Sequence, residues 1–183
     1  MLKKLRKLDA LIISKISKLH NKVNNRIMAV VTILGTGIIW FLLCVPLALT
    51  KDNLDAAINI VLALFVSWIV GEVTIKSLVG RVRPIEQLPE EEHIIKRPRH
   101  SSFPSGHTSS AFSVLAVVMV RCNLYVIIPV LIMACLVSFS RLYLRVHYLT
   151  DVLAGVVVGF VCGFAAVGLF DAITHNLLHI YLA

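Results

Sequence analysis

Five stretches of the chain are apolar over lengths suited to helices in a bilayer, and the polar residues collect between them. The first runs from Ile27 to Thr50, the second from Leu54 to Val79, the third from Gly106 to Val120, the fourth from Leu124 to Tyr143 and the fifth from Tyr148 to Phe170. A bilayer-crossing helix needs about 20 predominantly apolar residues, whereas a barrel strand alternates with a period of two. The runs do not alternate, so the pattern predicts an all-α, polytopic membrane helix bundle with about five transmembrane helices. Ahead of them, residues 1–25 form a basic N-terminal segment. Leu5, Leu8, Ile12, Ile16 and Leu19 recur there at helical spacing, with Lys and Ser on the other face. This predicts an amphipathic helix lying on the bilayer surface. Asp9, Ser14, Lys15, Ser17 and Lys18 interrupt the apolar residues too often for a signal-peptide core.

Two details break the uniformity of the spans. Glu72 and Lys76 lie four apart near the end of the second, and so on one helical face. Charge inside a membrane helix is costly and marks function. The pair reads either as an internal salt bridge or as a lysine serving a site with Glu72 positioning it. Gly155, Gly159 and Gly163 recur every four residues in the fifth span, leaving a bare backbone face for close packing within the chain or, alternatively, for a dimer. Pro129 marks a possible kink in the fourth. The longest connection, residues 80–105, carries an acidic cluster (Glu90, Glu91, Glu92) and then a basic one (Lys96, Arg97, Arg99). A connection of that length in a compact protein is usually functional or disordered.

Composition agrees: 58% of the 183 residues are hydrophobic and 15% charged, with mean hydropathy +0.87. Soluble domains sit near 45–50% and about 25%. The length fits a single domain over 1–183. The net charge of +8 resides in the connections. In a chain of this hydropathy it points to membrane lipids and an anionic substrate as partners, not to nucleic acid. Cys44, Cys122, Cys135 and Cys162 form no C-x-x-C pair and read as buried packing residues.

Counting spans places three polar clusters at one membrane face, together with the N-terminal segment. They are Lys76 with Arg83-Pro84, Pro104-Ser105-Gly106-His107, and Ser140-Arg141 with His147 and Asp151. Cations, imidazoles and one carboxylate together suit phosphoryl transfer. Lys76, Arg83 and Arg141 would hold the non-bridging oxygens. The backbone N–H groups of Ser105 and Gly106, at a helix N-terminus, would add donors. His147 would be the nucleophile, with Asp151 on its other ring nitrogen fixing the tautomer. His107 would protonate the leaving oxygen and then activate water.

These clusters match K-x-x-x-x-x-x-R-P, P-S-G-H and S-R-x-x-x-x-x-H-x-x-x-D at every fixed position. In this the chain resembles the type 2 phosphatidic acid phosphatase family, whose architecture is shared with vanadium haloperoxidases. The resemblance covers Lys76 to Asp151. It implies a lipid phosphate phosphatase with His147 as nucleophile and His107 as general acid, working through a phosphohistidine without a cofactor or metal. It also implies six spans, one more than the hydropathy pattern offers. The expected substrate is an undecaprenyl-type diphosphate or a phosphatidate-like lipid. A non-hydrolytic binder or transporter of phosphorylated lipid, or a lipid phosphotransferase, would use much of the same site.

Metal binding is disfavoured by the residues themselves. His147/Asp151 and His175/His179 have ligand spacing, but three cations surround the first pair and no third ligand accompanies the second. His20, His93 and His100 read as loop or interface residues, and Arg81 and Arg145 as supports for the phosphate ligands. Of the 18 Lys and Arg residues, all but Lys51 and Arg121 fall on the site side. The positive-inside rule makes that side of the cell membrane cytoplasmic, whereas the family resemblance implies an outward-facing site. The sequence sets no oligomeric state.

Overall fold

The computed structural model describes the backbone of residues 2–49 and 53–182, and the side chains of 3–49 and 53–176. The turn expected at Lys51-Asp52-Asn53 and the side chain of His179 fall wholly or partly outside those residues.

The expected helices form, with one division that hydropathy does not signal. The first apolar run is two helices, α2 (Lys22–Leu34) and α3 (Gly37–Ala48), bent by 58° about Gly35-Thr36. Two glycines flanking Thr36 weaken helix propensity there. Packing demands one of them: a Cβ on Gly35 would collide with Val137 and lie 3.2 Å from the His107 ring. The break thus lets a neighbouring helix and a site histidine come close.

The second run begins as α4 (Leu54–Trp68), widens to a π-helical turn over Ile69–Ile75, and closes as the short α5 (Lys76–Val79). Gly80, with φ of 58°, ends it in the left-handed conformation that glycine adopts without strain. The π-turn contains Glu72, and such turns concentrate at functional sites.

Three more helices follow: α6 (Gly106–Arg121), α7 (Leu124–Tyr143) and α8 (Leu149–Leu182). Asn123 caps α7, its side chain accepting the Tyr125 N–H at 3.1 Å. By length and composition, Leu54–Gln87, Leu124–Tyr143 and Leu149–Asn176 can each cross a membrane, and the bent α2–α3 pair passes the same test when taken as one broken span, against the five crossings expected. α6, at 16 residues, is too short to count among them but runs beside α8. The Ser105 N–H at its start donates to the Asp151 carbonyl at 3.0 Å, and Arg121 at its end pairs with Asp171. Those two aspartates are separated on α8 by a rise of about 30 Å at 1.5 Å per residue, the thickness of the hydrocarbon core.

α6 is the central helix, and Ala111, Val114, Ala116, Val117 and Val118 are fully buried. The core around it draws Trp40 from α3, Ile60 and Ala63 from α4, Ala134 from α7 and Ala166 from α8. Large apolar residues such as Val30, Phe41, Phe65, Ile132 and Val157 face outward, as lipid contact requires. Of the cysteines, Cys44 and Cys162 are buried as expected, but Cys122 is half-buried and Cys135 lies on the outer surface.

The glycine stripe belongs to the α6–α8 contact. A Cβ at Gly155 would lie 2.8 Å from the Ser105 carbonyl, and one at Gly159 would lie 2.6 Å from that of Ser109. Gly159→Leu is therefore expected to cost about 3 kcal/mol or more. Gly168→Leu, with nothing within 4 Å of its Cβ, serves as the neutral control. Thermal unfolding of the two variants side by side checks this.

The N-terminal helix α1 (Leu2–Ser17) does more than lie on a surface. Ile16 packs on a second, smaller core of Ile85, Tyr143, Leu144 and Val146, with Met28, Ile94 and Ile95 beside it. The Arg145 Nε donates to Ser17 Oγ at 3.1 Å, and Tyr143 donates its hydroxyl hydrogen to Asn25 Oδ1 at 2.7 Å. The 80–105 connection folds over the same core through short 3₁₀ turns at Pro84–Gln87 and Glu90–Glu92. Arg97 pairs with Glu86 at 2.7 Å and Arg145 with Glu92 at 3.1 Å. This long connection is thus an ordered cap over one end of the bundle.

Candidate active site

Under that cap the three clusters meet. α5 brings Lys76, the connection brings Arg83, the start of α6 brings Ser105 to His107, and the α7–α8 corner brings Arg141, His147 and Asp151. Lys76, Arg83, Ser105, Arg141, His147 and Asp151 are all buried. Burying three cations together is costly unless anionic or hydrogen-bonding partners compensate, so the partners of each define what the site can do.

His147 is 1% exposed. Its Nδ1 lies 2.6 Å from the Ser102 carbonyl oxygen, which can only accept, so Nδ1 carries the proton. Nε2 therefore holds the lone pair, and the Arg83 Nη1 donates to it at 3.1 Å. Burial, with Arg141, Arg83 and Lys76 nearby, holds the imidazole well below its ordinary pKa, and the Ser102 bond opposes this only in part.

Asp151, expected on the same ring nitrogen, lies beside it and at a greater distance. Its Oδ2 stands 3.7 Å from His147 Nδ1, farther than the Ser102 carbonyl. Its oxygens are drawn elsewhere, Oδ1 to Arg81 Nη1 at 2.5 Å and Oδ2 to the Tyr148 N–H at 2.8 Å. The hydrogen-bond partner of Nδ1 is the Ser102 carbonyl, a backbone atom that residue types do not reveal.

Most of the Arg83 N–H groups are taken within the protein. Nε donates to the His100 carbonyl at 2.8 Å, Nη1 to the Val146 carbonyl at 2.8 Å as well as to His147, and Nη2 to the Ser101 carbonyl at 3.1 Å. The guanidinium ties the cap to the α7–α8 corner and has one N–H, on Nη2, left for an anion. Arg141 is the opposite case. Its Nη1 bonds Thr32 Oγ1 on α2, while Nε is buried without a partner. A phosphate oxygen would supply what that N–H lacks.

Lys76 Nζ is paired with Glu72 Oε1, so the salt bridge expected from their spacing is present. It also faces the site: a Cβ on Gly106 would run into Glu72 Oε1 and lie 3.5 Å from Lys76 Nζ. Glycine at 106 is thus required by the close approach of that pair. The expected backbone donors shift by one residue. The Ser105 N–H is taken by the Asp151 carbonyl, and the Ser105 hydroxyl accepts from Thr108 Oγ1 at 3.0 Å. The open N–H groups of α6 begin at Gly106.

His107 lies at the head of a different feature. A cavity of about 590 Å³ runs between α3 and α4, lined by Ile38, Phe41, Leu64, Phe65 and Trp68, and ends on Glu72, Gly106 and His107. Its wall is mostly apolar, with Thr36, Ser67 and Ser110 as hydroxyl-bearing members and the charged group, Glu72, at that end. His93 and His100 are structural in the cap: the His93 ring bonds the Ile85 carbonyl at 2.9 Å, and the His100 carbonyl holds Arg83. His20 bonds the Tyr143 carbonyl at 2.9 Å.

Known proteins resemble this chain in sequence and in fold. Residues 56–174 match the model of the PAP2 superfamily. The chain is 27% identical over 135 residues to an undecaprenyl-diphosphatase of Sulfolobus acidocaldarius, covering 74% of this chain and 65% of that protein. It is 35% identical over 71 residues to the undecaprenyl-diphosphatase BcrC of Bacillus subtilis, covering 39% of this chain and 36% of BcrC. In each case the match spans less than two thirds of the relative. Among solved structures, LpxE of Aquifex aeolicus superposes with a TM-score of 0.75 at 23% identity, covering 87% of this chain and 94% of LpxE. A PAP2-type phosphatidylglycerolphosphate phosphatase of Bacillus subtilis also superposes at 0.75, with 24% identity, covering 93% of this chain and 88% of that one. With most of its length matched, from the middle of the bundle through the whole of the polar cluster, the chain belongs to the PAP2 superfamily.

Proposed function

We infer that the protein is a multi-pass membrane phosphatase that hydrolyses the phosphate or diphosphate headgroup of a lipid. The observation that carries this is the cavity between α3 and α4, mostly apolar in its walls and ending on Glu72, Gly106 and His107. It offers an apolar tail a path from the bilayer to His107 and Gly106, where a Gly106 Cβ would stand 3.5 Å from Lys76 Nζ at the edge of the buried cations. A soluble phosphate ester would have no use for its walls.

In the mechanism we infer, the phosphate enters among Lys76, Arg83, Arg141 and the open N–H of Gly106. The unpartnered Arg141 Nε takes one oxygen. The Arg83 Nη1 hydrogen, held by the Nε2 lone pair, turns to another oxygen and frees that pair. His147 Nε2 attacks phosphorus, the P–O bond to the leaving group breaks, and His107 gives that oxygen its proton. The Nδ1–H bond to Ser102 keeps the ring in place as it becomes cationic. His107 then takes a proton from water, whose oxygen attacks the phosphohistidine and releases inorganic phosphate. The cations neutralise the developing charge without a metal ion.

The relatives' names favour an undecaprenyl-type diphosphate, with a phosphatidate-like lipid as the second candidate. Purified protein should release phosphate from one of a panel of lipid phosphates with excess chelator present, and vanadate should inhibit it. Binding of those lipids without release would point to a carrier, and loss of release on chelation would contradict metal independence.

The acid limb of kcat/KM follows from His147. Its pKa is depressed, so the ring stays neutral, and nucleophilic, as pH falls through the ordinary histidine value of 6.5. The limb assigned to this residue is expected below that value. A pH profile whose acid limb is centred at or above 6.5 would contradict the assignment.

A further inference from the structure

Asp9 is the only carboxylate among residues 1–25, and it is 2% exposed although the basic side chains of α1 face outward. Its Oδ1 accepts the Thr150 N–H at 3.0 Å, and its Oδ2 accepts the Thr150 hydroxyl and Arg81 Nη2, each at 2.8 Å. Arg81 continues the path in two directions. Its Nη1 donates to Asp151 Oδ1 at 2.5 Å, and its carbonyl accepts the Ser102 N–H at 2.8 Å. The Ser102 carbonyl in turn holds His147 Nδ1. The Arg81 guanidinium also lies over the Tyr148 ring, 4.1 Å from its centroid.

Arg81 thus contacts both α1 and Asp151, and its backbone carbonyl holds the residue whose own carbonyl accepts from His147. It is 26% exposed, so without Asp9 it could turn toward water, whereas two carboxylates on opposite sides hold it in one place. Neither Asp9 nor Arg81 occupies a fixed position of the three-cluster signature, and Asp9 lies outside the 56–174 segment that matches the family. We propose that Asp9 is a positioning residue for the reaction: through Arg81 it fixes Asp151 and the Ser102 carbonyl, and thereby the orientation of the His147 ring. The N-terminal helix becomes part of the catalytic apparatus. This rests on the reading of His147 as the nucleophile.

The test uses the full chain in liposomes with wild type, Asp9→Asn and Lys4→Ala. The asparagine is nearly isosteric and keeps an acceptor for Thr150 but gives up the charge that holds Arg81. Lys4, an exposed residue on the same helix, controls for changes to α1. A misplaced nucleophile costs up to about 10²-fold in rate. Asp9→Asn should therefore lose about tenfold or more in kcat per folded molecule, with KM within about twofold of wild type. Adding it to Arg81→Lys should cost little more, because both changes act on the same link. An anchor that merely docks α1 would lower melting temperature and folded yield but leave kcat per folded molecule unchanged. Asp9→Asn with wild-type kcat would overturn the proposal. Orthovanadate binding provides an arm independent of turnover. If wild type hydrolyses none of the lipids, the functional reading fails, and vanadate affinity decides the role of Asp9. Weaker binding by Asp9→Asn than by wild type and Lys4→Ala sustains it, and equal binding by all three overturns it.

Discussion

Replacing His147 by alanine is expected to lower lipid phosphate hydrolysis by about 10⁴-fold or more, leaving only what binding and electrostatic stabilisation provide. The ring's free lone pair is on Nε2, facing Arg83, because Nδ1–H is committed to Ser102. The alanine variant also leaves that carbonyl and an Arg83 N–H without partners in a buried place. A second variant, His147→Gln, keeps a hydrogen-bonding side chain and separates loss of fold from loss of chemistry. Both should be inactive, and at least the glutamine variant should unfold as cooperatively as wild type. Steady-state phosphate release with circular dichroism melts on the same preparations checks this. Turnover within tenfold of wild type in either variant removes His147 from the nucleophile's role.

Arg141→Met should separate activity from stability in the opposite sense. Arg141 is 4% exposed, has an unpartnered Nε, and shares its surroundings with Arg83. Losing a donor aimed at the transition state costs about 10²–10³-fold in rate. Replacing a buried charge by an apolar residue of similar size is often neutral or stabilising. The variant should therefore lose about two to three orders of magnitude in kcat/KM while its melting temperature holds or rises. A large drop in melting temperature would mean that the bond to Thr32, rather than an incoming phosphate, is what Arg141 is for.

Much of the site was legible because its residues are expensive. Lys76, Arg83, Arg141, His147 and Asp151 are polar groups in or beside apolar runs, and counting spans already puts them at one face. The glycine stripe was legible for a related reason, since only close backbone contact repays three glycines at that spacing. What the sequence hid are the contacts that backbone atoms make. The Ser102 carbonyl and the Asp151 carbonyl take N–H groups that side-chain reasoning assigned elsewhere, and nothing in the residue types shows this. The bend at Gly35-Thr36 was signalled by Gly-Thr-Gly inside an apolar run, but a hydropathy window averages such a signal away. Asp9 also left a trace, as a single acid in a basic amphipathic segment. Its meaning depended on Arg81 and Thr150, 72 and 141 residues away.

The most direct test of the account is a rapid-quench experiment with a lipid phosphate carrying ³²P in its terminal phosphate. Wild type should show transient label on the protein that is stable to base, labile to acid and located by peptide mapping at His147. The label should persist longer in His107→Ala, which lacks the group that activates water. Label on His107, or hydrolysis with no labelled protein at any time point, would contradict the account.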